Sequence, residues 1–204
     1  MKIICIAWNY ADHTKELDNT IPSSPVFFIK PDTALLRNNQ PFYYPDFTKN
    51  LHYETELIIR INKVGRSIEE KYARRYYNEI GIGIDFTARD IQRECRENGQ
   101  PWTIAKAFDF SAPISPAFIS VEHLGGLSDI NFHMKLNGVT VQKGNSSDMI
   151  FNVDKIISYV SQFMTLKIGD LIFTGTPAGI GPVKIDDRIQ AYINNELLLD
   201  FEIK

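Results

Sequence analysis

The stretch that decides the fold is HYETELIIRI, residues 52–61. It alternates with a period of two, as a strand does when its side chains fall on opposite faces. Tyr53, Thr55, Leu57, Ile59 and Ile61 share one face, and His52, Glu54, Glu56, Ile58 and Arg60 share the other. The pattern predicts an apolar inner face and a wet outer one, with two carboxylates on the outer side. Residues i and i+2 of a strand stand about 6.5–7 Å apart, so both carboxylates can lean onto one cation. Buried without a cation, they would repel and one would take up a proton. Spacing alone leaves another reading open, in which both acids face water on an edge strand.

Working outward, residues 2–8 and VFFIK (26–30) read as strands, the second stopped by Pro31. Residues 9–24 are polar, with one helical turn around Asp12–Leu17, and 31–50 read as a proline-marked loop. Ser67 and Glu70 have capping-box spacing and predict a helix over 68–79. GIGIDFTA (81–88) is a glycine-marked strand, and ARDIQRECRENG is a charged helix stopping at Gly99. MKLNGVTVQKG (134–144) predicts a hairpin turning at Asn137-Gly138. Residues 152–164 have helical apolar spacing, and DLIFTGTPAGIG (170–181) is a buried strand entering a Gly/Pro loop. Residues 187–203 predict a last hairpin at Asn194-Asn195. Strands outnumber helices without alternating with them, which argues against a doubly wound sheet. The expectation is an α+β, β-rich fold with a few peripheral helices. No linker, repeat or low-complexity segment divides residues 1–204, so a single domain is expected.

The 204 residues are 44% apolar and 23% charged, ordinary for a globular chain. Lys plus Arg is 22 against 25 for Asp plus Glu, a net charge of -3. That balance points to neither nucleic acid nor an anionic membrane. No apolar run approaches the roughly 20 residues of a membrane span. The apolar start MKIICIAW gives way at Asn9 to YADHTKEL, unlike a signal peptide, so a cytoplasmic protein is expected. Cys5 and Cys95 stand in unrelated contexts and read as reduced thiols. No CxxC, HExxH, P-loop or GxGxxG is present.

A third acid, Asp85, ends the apolar, glycine-rich strand GIGID. Three carboxylates with no His/Cys set suit a hard, oxygen-seeking ion such as Mg2+, Mn2+ or Ca2+ rather than zinc. Asp85 is equally readable as an acid favoured by the macrodipole of the following helix.

The segments NYADHTKEL, FFIKP, HYETEL, GIDFTARDIQ, PWTIAKAFD, SSDMIF and DLIFTGTPAGIG run in order from about residue 3 to the C-terminus. Together they resemble the fumarylacetoacetate hydrolase family, and most closely its short, single-domain acylpyruvases and oxaloacetate decarboxylases. The resemblance implies a mixed β-sandwich roll. It implies that Glu54, Glu56 and Asp85 bind the metal, usually Mg2+ with Mn2+ as a substitute. His13 and Glu16 match a catalytic dyad whose i, i+3 spacing puts both on one side of a helical turn. The surrounding segment, about 9–24, would act as a mobile lid. Lys106 matches a lysine that meets the substrate, Arg89 and Gln92 match pocket-lining positions, and Thr176 matches a contact to the substrate carboxylate. Lys30 falls near the pocket. Homodimerisation is implied in the same way. Plainer readings stay open: a surface His-Glu pair, a snorkelling Lys106, a structural salt bridge for Arg89, and a bare Gly/Pro turn around Thr176. One departure is Trp8, where many similar proteins carry an arginine just before NYADH. It puts in question a second carboxylate at the far end of the substrate.

The function implied is a divalent-metal hydrolase that cleaves a C–C bond in a 2,4-dioxo acid of acylpyruvate type, with the dyad activating water. The same metal site would serve an oxaloacetate decarboxylase or tautomerase, or an oxo-dienoate isomerase or hydratase. A protein that binds a metal or an oxo acid without turnover is a third possibility.

Overall fold

The computed structural model describes residues 1–16 and 20–204. Its main sheet is six-stranded and carries the opening stretch near its middle. Ile3–Ala7 pairs antiparallel with Val26–Lys30 on one side and parallel with Leu171–Phe173 on the other. Leu171–Phe173 pairs with Thr55–Ile61, which pairs with Tyr77–Ile84, and Ile119–Ser120 closes the edge. A four-stranded sheet holds the two expected hairpins, Asn131–Leu136 with Val139–Asn145 and Arg188–Ile193 with Glu196–Glu202. The first turns at Asn137 (φ 52°) and Gly138 (φ 82°), and the positive φ at both positions is what a two-residue hairpin turn requires.

The larger core packs Leu57, Ile59 and Ile61 with Phe132, Met134 and Ile189 of the four-stranded sheet. Ile156, Ile157 and Val160 of helix Val153–Phe163 join the same core. Asn152 caps that helix by accepting a bond from the Lys155 N–H at 2.8 Å. The outcome is the β-rich, several-sheet roll expected, with helices at its periphery. Among the described residues no helix is long and apolar enough to cross a membrane.

Several expectations change. The face of His52, Glu54, Glu56 and Ile58 is not wet. Ile58 is fully buried in a second core with Ile3, Cys5 and Phe173, and both glutamates are buried beside it. The strand is also not continuous. It divides into Leu51–Tyr53 and Thr55–Ile61, with the break at Glu54. GIGIDFTA divides the same way, into Tyr77–Ile84 and Thr87–Ala88, with Asp85 in the break. The outer pieces, Leu51–Tyr53 and Thr87–Ala88, form a small sheet with Gly181–Pro182. One antiparallel pair thus passes from one sheet to another, and the two breaks face each other: Asp85 N–H donates to Glu54 O at 2.8 Å.

The helix expected over 68–79 is a 3-10 segment, Glu70–Tyr76, and Tyr77 already belongs to a strand. Ser67 sits at φ 49°, a left-handed conformation in which it cannot serve as an N-cap, which needs extended backbone. The 31–50 loop contains a 3-10 turn at Asp32–Ala34, and Leu35–Leu36 pairs with Ala112–Pro113. Helix Ala11–Glu16 matches the expected turn as far as it is described. Leu17 and part of the expected lid lie outside the described residues.

Candidate metal centre and active site

The sheet switch mounts the acids. Glu54 and Asp85 leave the two breaks, and Glu56 leaves the first strand one pleat further on, so the three converge from neighbouring strands. One oxygen from each lies within 4.8 Å of the others, and all three side chains are buried. Glu56 Oε2 accepts from Gly175 N–H at 2.7 Å. Gly175 reaches that position at φ 100°, where a Cβ would lie 2.7 Å from Asn9 Cβ. Gly175→Ala is therefore expected to lower the melting temperature and weaken divalent-cation binding together, read by thermal melting and by Mn2+ titration.

Three buried cations stand against the three acids. Lys106 Nζ lies 2.8 Å from Glu54 Oε2 and 2.7 Å from Asp85 Oδ2. Arg89 pairs with Glu54 Oε1 through one nitrogen and donates to Gln92 Oε1 at 2.6 Å through another. Lys30, fully buried, holds Nζ 2.7 Å from Asp85 Oδ1. Its N–H bonds, however, go to Phe86 O (3.2 Å), Ser111 O (2.8 Å) and Ser111 Oγ (3.0 Å). A lysine has three donors, so Asp85 Oδ1 has a positive charge beside it and no hydrogen bond.

Burial pushes the Glu54 carboxyl up, but the charges of Lys106 and Arg89 outweigh it and hold it well below the usual carboxylate range. Burial opposes the charge on Lys106 too, and Asp85 and Glu54 more than restore it. Among the described residues no cation pairs with Glu56. Burial, then the charges of Asp85 and Glu54, push its carboxyl well above the usual value, against the Gly175 N–H bond. The donor set fits a hard divalent cation on two counts: Asp85 Oδ1 has a charge beside it but no hydrogen bond, and the Glu56 carboxyl, raised by burial and by its acidic neighbours, would be relieved by another positive charge.

A pH dependence follows. Without metal, folded Glu56 holds its proton more tightly than the unfolded chain does. Its contribution to stability is present below the ordinary carboxylate pKa and is lost as pH rises through the raised folded value. EDTA-treated protein is expected to lose melting temperature on going from pH 5 to pH 7.5. Mg2+ should reverse the loss with release of a proton, and Glu56→Gln should flatten the profile.

His13 Nδ1 lies 3.2 Å from Glu16 Oε2 on helix Ala11–Glu16. Glu16 in turn accepts from Gly179 N–H at 3.2 and 3.3 Å. Facing an ionised carboxylate, Nδ1 of a neutral imidazole carries the proton and leaves Nε2 as acceptor. Thr176 Oγ1 accepts from Gln142 Nε2 at 2.9 Å, and Gln142 Oε1 accepts from Thr55 N–H at 3.0 Å. His13, Glu54, Glu56, Asp85, Arg89, Gln92, Lys106 and Thr176 all line one cavity. Glu16 reaches it only through His13. The cavity is about 20 Å3, room for roughly one water or ion, and its remaining wall is apolar.

A family model described as fumarylacetoacetate (FAA) hydrolase C-terminal matches residues 2–202. The chain belongs to the fumarylacetoacetate hydrolase family. The mitochondrial oxaloacetate tautomerase of Bos taurus is 44% identical to it over 202 residues, 99% of this chain and 91% of that protein. The oxaloacetate tautomerase of Escherichia coli K12 is 39% identical over 188 residues, 92% of this chain and 86% of its own length. The crystal structure of fumarylpyruvate hydrolase from Pseudomonas aeruginosa, in complex with Mn2+ and pyruvate, superposes with a TM-score of 0.93. It is 34% identical and covers 100% of this chain and 89% of that one. Members of the family are enzymes, hydrolases and isomerases among them, and this chain is one of these enzymes.

In this family member, sequence reasoning placed Lys30 only near the pocket and passed over Gln142. Lys30 ends an apolar strand, and a charge there is a signal for a buried partner. Gln142 alternates inward on its strand, where a polar residue signals a hydrogen-bonding task. The glycines around Thr176, Gly175 among them, suit close backbone approach, but the acceptor of Gly175 N–H is 119 residues away and nothing local names it.

Proposed function

We propose that this chain enolises 2-oxo acids, with keto–enol interconversion of oxaloacetate as its reaction. The observation that carries the reading is the buried charge balance. Glu54, Glu56 and Asp85 oppose Lys30, Lys106 and Arg89, so a divalent cation would leave the site two charges positive. A dianionic 2-oxo acid returns it to neutrality, and the curated relatives named for oxaloacetate support that choice.

A divalent ion, Mg2+ or Mn2+, held by the three carboxylates would supply a Lewis-acid charge against the developing oxyanion. The chain's own residues do the rest. Arg89, Gln92 and Thr176 grip the substrate carboxylates. His13, with its proton fixed on Nδ1 by Glu16, takes the C3 proton at Nε2 and returns it to the enol oxygen. Lys106 stays charged and faces that oxygen. The segment about 9–24 covers the site as a lid, and residues 1–204 work as one domain. A reducing compartment, the cytoplasm in this reading, suits the two buried free cysteines, Cys5 and Cys95. A homodimer is part of the same proposal and is read by sedimentation.

A second reading, cleavage of acylpyruvates, draws on the His13–Glu16 pair. There Nε2 takes its proton from water, the hydroxide attacks the distal carbonyl, and the C–C bond breaks with pyruvate enolate leaving. The test runs oxaloacetate and acetylpyruvate side by side on metal-loaded protein. Enol–keto conversion of oxaloacetate supports the first reading, and turnover of acetylpyruvate alone replaces it with the second.

A further inference from the structure

The chain has two tryptophans, Trp8 and Trp102, and both line the cavity that holds the carboxylates. Their rings meet edge to face at 5.4 Å and 84°. Trp102 meets Phe28 in the same manner at 6.1 Å, and Lys106 Nζ lies 5.2 Å from the Phe28 ring centroid. The aromatic wall therefore begins where the cation cluster ends. Behind it, Phe28 and Trp102 also wall an open cleft of about 490 Å3 with Phe27, Ile29 and Pro101.

Trp8 is placed deliberately. Its φ is 57°, a left-handed conformation that a bulky side chain rarely adopts and that persists only where the surroundings hold it. Here the next residue does the holding. Asn9 is fully buried, donates to Phe151 O (3.0 Å) and Thr174 O (2.8 Å), and accepts from Phe151 N–H (2.8 Å). The turn takes the indole off the strand and puts it on the cavity wall. Outliers of this kind gather at ligand clamps.

We propose that Trp8 and Trp102 form a specificity wall that receives a flat, apolar substituent on the 2-oxo acid, at the end remote from the metal-facing carboxylate. The inference rests on the proposed function and extends it: oxaloacetate carries no such substituent, so acids bearing aryl or alkyl groups form a second ligand class. The two indoles touch edge to face, and a ligand ring enters by parting them.

The test is direct binding and needs no turnover. Mg2+-supplemented protein is titrated calorimetrically with pyruvate and with phenylpyruvate, and tryptophan emission is followed in parallel. Phenylpyruvate is expected to bind about tenfold or more tighter than pyruvate, a modest gain for one ring against aromatic faces, and to change the emission. Trp8→Ala should bring the affinity ratio close to one, and Trp8→Phe should restore most of it. Trp102→Ala carries the same expectation should Trp8→Ala fail to fold. Pyruvate binding with no aryl preference, or an unchanged ratio in the alanine variants, overturns the wall and leaves the proposed function standing. Failure of both acids to bind overturns both.

Discussion

Glu54→Ala is expected to abolish turnover and to destabilise the fold. Glu54 is the acid that faces both Lys106 and Arg89, and all three are buried. Removing it leaves two buried cations short of a partner, and breaking a buried pair from one side costs about 3–5 kcal/mol. It also removes a cation ligand. Lewis-acid stabilisation amounts to several kcal/mol, so the rate should fall by at least about 1,000-fold. Glu54→Gln separates the two effects: it keeps the shape and one acceptor oxygen, while its NH2 cannot accept from Lys106 or Arg89, so it should recover part of the stability and little of the activity. Denaturant midpoints and Mn2+ binding by electron paramagnetic resonance read the two quantities independently. A Glu54→Ala protein as stable as wild type would show that Lys106 and Arg89 do not depend on this carboxylate.

His13→Ala is the second large effect, of the opposite type. His13 lines the cavity and bonds Glu16, and no bond joins it to Glu54, Glu56 or Asp85. Loss of a general base typically costs about 100- to 10,000-fold. That loss should appear in kcat with Mn2+ affinity unchanged. Glu16→Gln should give a smaller loss, because the imidazole remains while its orientation and basicity suffer. A His13→Ala protein that loses Mn2+ binding along with activity would move His13 out of the proton-transfer role. Retained oxaloacetate turnover with lost acetylpyruvate cleavage would confine His13 to activating water.

The local pattern carried much of the fold. The strand Val26–Lys30, the helix behind Asn152 and the Asn137-Gly138 hairpin are each written in a few adjacent residues, and they form as written. The misreadings share one cause. Alternation in HYETELIIRI says which residues share a face, and it cannot say whether that face meets water or a second layer. Ile58 buried among Ile3, Cys5 and Phe173 shows the second layer. Nor does alternation show that the chain changes sheets at Glu54 and Asp85, because a long-range pairing sets that break. Ser67 had the right spacing for a cap and the wrong backbone conformation.

Among the site residues, the acids were legible because carboxylates in apolar strands are conspicuous, and the structure brings all three together. His13 with Glu16, Lys106, Arg89, Gln92 and Thr176 came from resemblance, and the meeting of all but Glu16 around one cavity is a tertiary fact. Lys30 illustrates what stays hidden. Only the fold shows that Lys30 faces Asp85 Oδ1 as an ion pair while its three hydrogen bonds go elsewhere.

The most direct test of the account is the metal dependence of oxaloacetate enol–keto conversion. Chain stripped with EDTA is titrated with Mg2+ while the enol absorbance is followed, for wild type and for Glu54→Gln. The stripped protein is expected to show no activity, recovery is expected to saturate at one ion per chain, and Glu54→Gln is expected not to recover. Full conversion by the stripped wild-type protein, unchanged by added Mg2+, would contradict the account.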